Sequence, residues 1–211
     1  METQPTAETV RRTADPRQPR AVRTREQVVA ATRRVAAADG VDAVTTTRIA
    51  AETGISVGAL YRYFENRDQL LLAAYDEAVG ELVGHFSAMV PMVQSVPEAE
   101  SAAKLALSAF LAAAGNTPGL GMLLREARRI RPLADEARVH ADIIVNSVLM
   151  PVALRFASPD AAKLPGRMQV LLSGLSTLTD LYLVNDDPEV KSHIRRELEA
   201  YALFALKRLA A

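Results

Sequence analysis

The 211-residue chain has no cysteine, no tryptophan and no net charge. Without cysteine there can be no disulfide framework, thiolate nucleophile or cysteine zinc site, which suits a reducing cytoplasm. Without a charge surplus the molecule is no generic polyanion binder, so any basic surface must be local. Long apolar runs are missing as well. No stretch of about 18 apolar residues is free of charge, and the N-terminus lacks the apolar core of a secretion signal. Met168 to Thr179 comes nearest, but Asp180 and several serines and threonines make it a buried protein helix. A cytoplasmic protein with no membrane partner is the expectation.

Signals of catalysis are equally sparse. His85, His140 and His193 lie far apart, and only His140-x-Asp142 brings one near a carboxylate, on a different helix face. No nucleophile elbow, phosphate loop or H-E-x-x-H is present. Neither an enzyme nor a cofactor or metal is expected. Strand alternation, internal repeats and sustained heptads are also absent, so the fold class is all-α.

What the chain does have is the stretch Thr45 to Phe64, TTTRIAAETGISVGALYRYF. Thr45 can N-cap a short helix with Ile49 and Ala50 turned inward, and Gly54 stands where a helix ends at positive φ. Ser56 can cap a second helix, on which Leu60 and Phe64 share one face. This is a helix-turn-helix. The outward face, with Gly58, Ala59, Tyr61 and Arg62, has no carboxylate and small residues at its centre, which suits a DNA major groove. The same geometry also occurs in proteins that bind no nucleic acid. Nine arginines against five acidic residues between Arg17 and Arg67 leave a surplus of four where this motif lies. The candidate DNA contacts are Thr46, Thr47, Arg48, Ser56, Val57, Gly58, Ala59, Tyr61, Arg62, Tyr63 and Arg67. Asn66 can cap the next helix, and its positive end together with Arg67 forms an expected phosphate clamp.

The run I49-A50-x-x-x-G54-I55-S56-x-G58-x-L60-Y61-x-Y63-F64-x-N66-R67-x-x-L70-L71 resembles the DNA-binding domain of the TetR (tetracycline-repressor) family over about Thr24 to Tyr75. The resemblance implies a homodimeric, all-helical transcription factor, usually a repressor released by a small ligand. Arg67 departs from the family, which more often has lysine there; either can meet a phosphate. An activator, or a DNA-binding interaction protein without effector, is the alternative.

Three regions follow: a disordered basic arm over residues 1–21, a helix-turn-helix DNA-binding domain over 22–68, and a helical ligand-binding and dimerisation domain over 69–211. Thr24 is expected to cap the first helix, with Arg33 and Arg34 solvated. A long helix from Arg67 to about Met89 joins the halves. Further helices are expected over about 98–114, 120–129, 132–157 (kinked at Pro151), 167–184 and 187–209. The family implies a ligand pocket, for which Phe86, Met89, Phe110, Met122, Leu123, His140, Ile143, Ser147 and Met150 are the candidates. Their apolar character, with no tryptophan, points to a small hydrophobic effector. Leu171, Leu175, Leu178 and Tyr182, with Ile194, Leu198 and Tyr201, form apolar stripes read as the dimer surface. Helix stripes alone cannot say whose core they enter. The expected partners are double-stranded DNA with an inverted-repeat operator, a second copy of the chain and the hydrophobic ligand.

Overall fold

The computed structural model describes residues 19–131, 154–158 and 165–210. Among them every regular element is helical. Helix α1 spans Pro19–Asp39, so it begins before Thr24. Proline suits a first turn because its missing N–H would have no intrahelical partner there. Thr24 lies inside the helix, where its hydroxyl donates to the Arg20 carbonyl at 2.9 Å. Pro19 to Ala21 therefore belong to α1 and not to the arm, whose remainder lies outside the described residues. Arg33 also differs from expectation. Its side chain is only 15% exposed and pairs with Glu77 and Glu81, tying α1 to α4.

A 3-10 turn (Val41–Ala43) leads to α2 (Thr46–Thr53), α3 (Val57–Leu60) and the 29-residue α4 (Arg67–Ser95). The last continues past Pro91. Then come α5 (Ala99–Gly115), α6 (Leu120–Ile130), α7 (Pro165–Val184) and α8 (Pro188–Ala210), close to the expected spans. The kinked helix around Pro151 falls outside the described residues. No single helix is long and apolar enough to cross a membrane.

One continuous apolar core links the halves through α4. Leu70 and Leu71 at its start pack with Val28, Ile49 and Leu60, while Leu82 and Phe86 pack with Leu107, Phe110 and Leu123. Each such side chain, fully buried, contributes about 1.5–3 kcal/mol. A smaller cluster holds α7 to α8 through Met168, Leu171, Leu172, Ala205 and Leu209.

Candidate DNA interface and ligand cavity

Local chemistry builds the helix-turn-helix as its sequence demands. Thr45 Oγ1 accepts the Arg48 N–H at 3.2 Å and so caps α2. Gly54 closes that helix at φ 68°, a left-handed conformation that only glycine adopts freely, and the Ile55 N–H returns to the Ala50 carbonyl. Ser56 caps α3 by accepting from the Ala59 N–H at 3.1 Å. The recognition element is short: regular helix ends at Leu60, and single turns carry the chain through Tyr63. Asn66 accepts from the Gln69 N–H at 2.9 Å and caps α4. Leu60 and Phe64 are buried beneath, as spaced.

On the outer surface Thr47, Ser56, Gly58, Tyr61 and Arg62 are exposed, and Thr46 meets the Tyr61 hydroxyl at 3.4 Å. Space is open around Gly58, with nothing within 4 Å of where a Cβ would stand. Val57, Ala59 and Tyr63 are half-buried, and Val57 and Tyr63 pack against the core below. Arg48 is ion-paired to Asp39 at the end of α1.

Arg67 has a different post from the expected phosphate clamp. Its Nε donates to the Val44 carbonyl and its Nη2 to the Val41 carbonyl, both at 2.7 Å, with Asp42 at 4.0 Å. A planar fork holds two carbonyls in a fixed geometry, whereas a lysine's donors all radiate from one atom on a flexible stem. The guanidinium therefore pins the α1–α2 connection to the start of α4. Sequence spacing gave no signal for this, because the acceptors are main-chain atoms of a distant turn.

In the second half, α4, α5, α6, α7 and α8 enclose a cavity of about 110 Å³. Phe86 and Phe110 line it, their rings edge to face with centroids 6.1 Å apart. Met89, Met122 and Leu123 do not. Leu123 is fully buried in the core, and α6 turns Leu120 and Leu124 to the cavity instead. His140, Ile143, Ser147 and Met150 fall outside the described residues. The lining missed from sequence comes from all five helices, with Tyr75, Val79 and Leu82 of α4, Leu107 of α5, and Leu172 and Leu206 of α7 and α8 among it. The seven stripe residues expected at the dimer surface lie on these same last two helices. Leu171 and Leu198 are in fact buried within the chain itself, at 6% and 0% exposure, while Leu175, Leu178 and Tyr182 pack partly against its main core and Tyr201 against the α7–α8 cluster. Ile194 is half-buried. The apolar residues that α7 and α8 turn outward are Val170, Leu181, Val190 and Phe204, at 69%, 46%, 41% and 52% exposure.

Helix α6 is fastened on two sides. Toward α7, Arg125 donates to the Val184 carbonyl and pairs with Asp186, and Arg128 pairs with Asp180. The Arg125 guanidinium holds the Asp186 carboxyl below its ordinary range. Toward α4, Arg129 meets Asp68 at 3.2 Å and Arg131 meets Asp76 at 3.3 Å. Gly121 lets α6 touch the end of α7, since a Cβ there would stand 2.1 Å from the Leu183 carbonyl oxygen.

Residues 28–74 match the family described as bacterial regulatory proteins, tetR family. No curated protein matches the sequence. Among solved structures, a TetR-family transcriptional regulator from Streptomyces coelicolor is 18% identical with a TM-score of 0.61, over 90% of this chain and 97% of that one. The TetR family repressor AlkX from a Dietzia strain, implicated in biodegradation of n-alkanes, is 17% identical with a TM-score of 0.58, over 94% of this chain and 100% of its own. Residues 28–74 thus match the tetR family over the helix-turn-helix, and the chain as a whole shares the fold of these solved regulators.

Proposed function

We propose that the protein is a homodimeric transcriptional repressor of the cytoplasm, released from an inverted-repeat operator by a small hydrophobic effector, and that it has no catalytic role. The observation that supports effector control is the double duty of α4 and α6. Tyr75, Val79, Leu82 and Phe86 of α4 line the cavity, while Asn66, Arg67 and Asp68 of the same helix adjoin the helix-turn-helix. Leu120 and Leu124 of α6 line the cavity, and Arg129 just beyond them holds Asp68. A ligand that favours one setting of these two helices therefore biases the spacing of the two recognition elements in a dimer.

With Val57, Gly58 and Ala59 entering the groove, bidentate base contacts are impossible at those positions. Sequence preference then falls to Thr47, Arg62, thymine methyls and DNA shape. Operator fragments selected from the source genome, titrated with and without ligand, test the scheme. Coupling of about 1–3 kcal/mol lowers operator affinity roughly 5- to 150-fold, and operator must weaken ligand binding by the same factor. Operator affinity that stays constant at saturating ligand would leave a regulator without effector control.

A further inference from the structure

We propose that the cavity's ligand is a neutral, largely apolar molecule with a single hydroxyl group, seated with that hydroxyl at Ser176, Thr179 and Asp180. This ligand class rests on the effector reading of the cavity. Apart from Tyr75, these three are the polar residues among the described lining, and all three belong to α7. Their spacing of three and four residues places them on one face within about one turn. The remaining walls are aliphatic or aromatic, with Leu82, Phe86, Phe110 and Leu206 among them. Among the described lining, this one polar corner in a mostly apolar chamber fits one polar head. A sugar or nucleotide would set further donors and acceptors against apolar walls, each left without a partner and so penalised by its lost hydration.

The charge of the corner selects the head. Asp180 is already paired with Arg128, the two side chains being 31% and 30% exposed, so the carboxylate already has a cation beside it. A carboxylate head would meet the like charge of Asp180. An ammonium head would leave a surplus positive charge beside apolar walls, which desolvation penalises. A hydroxyl donates to the Asp180 carboxylate and accepts from Ser176 or Thr179, and it adds no charge. Size limits the body: at about 110 Å³ the cavity is somewhat smaller than the roughly 150 Å³ apolar cavity that takes benzene, so its occupant has at most about six carbons.

Methyl NMR titrations of the full-length protein at pH 7 with 1-hexanol, hexylamine, hexanoate and benzene test this. 1-Hexanol should bind at least about tenfold more tightly than either charged probe. In the double variant Ser176→Ala with Thr179→Val, 1-hexanol affinity should fall about 2- to 10-fold while benzene affinity is unchanged. Benzene binding with no preference among the heads, or a preference for hexanoate or hexylamine, overturns the hydroxyl assignment and leaves the cavity a ligand site. Failure of every probe to bind overturns both.

Discussion

At Gly58 the fold does not require that the side chain be missing. The position is helical with open space around it, so Gly58→Ala should gain helix propensity, up to about 1 kcal/mol, and thermal unfolding should stay level or rise. The added methyl would stand between helix and groove, and operator affinity measured by fluorescence anisotropy should fall. Unchanged affinity would mean that the main chain at 58 keeps its distance from DNA. Arg67 behaves in the opposite sense. With its donors on Val41 and Val44, Arg67→Ala orphans two carbonyls and should cost about 1–3 kcal/mol in denaturant unfolding. The salt dependence of operator binding should change little, whereas an exposed phosphate contact would lower its slope by about one unit. A slope lowered by one unit with stability intact would restore the phosphate clamp. Thr45, Gly54, Ser56 and Asn66 were legible in the sequence because a cap closes its hydrogen bond within three or four residues. The duty of Arg67 was not, since its acceptors lie 23 and 26 residues away.

Elements were legible in extent and class, because turn residues and apolar period are local; which side of a helix faces which neighbour was not. Leu120 and Leu124, not Met122 and Leu123, reach the cavity, and Leu198 enters the chain's own core. Period fixes the stripe, while packing alone fixes its phase among five helices. Helix α6 shows how close that packing is. Gly121→Ala would drive a methyl into the Leu183 carbonyl, and overpacking of this kind costs about 1–3 kcal/mol. Gly80→Ala and Gly84→Ala, in open space on α4, should instead stabilise by up to about 1 kcal/mol each. Thermal melts of the three variants check both signs; a neutral Gly121→Ala would show that α6 can shift off α7 at no cost. The ion pairs of Arg125 and Arg129 are half-exposed, so each contributes little to stability and they matter as fasteners that keep α6 in line.

For the whole molecule, the outward apolar residues of α7 and α8 are the surface on which the proposed second copy would sit. Val170 and Phe204 are exposed by more than half and Leu181 nearly so, while Leu171 and Leu198 have almost no surface left to bury against a partner. Val170, Thr177 and Leu181 recur at helical spacing along α7, with Thr177 exposed between its apolar neighbours, so a partner helix can approach closely there. Phe204 on α8 stacks beside Tyr201, ring centroids 6.0 Å apart, and extends the patch. Two copies related by a two-fold axis would place these faces together as a four-helix bundle. Val170→Glu combined with Phe204→Glu puts charge on this surface without touching the core, so helical content should persist while sedimentation at micromolar concentration shifts from dimer to monomer. Operator binding should fall with it, because a dimer reads two half-sites with centres about 34–36 Å, or a multiple, apart and a monomer reads one. Leu198→Ala is the contrasting variant: it opens a cavity inside the chain and should cost about 2–5 kcal/mol of stability, leaving association untouched as long as the protein is folded. A double variant that remains dimeric would move the interface to another face, and footprinting would then show whether two half-sites are still protected.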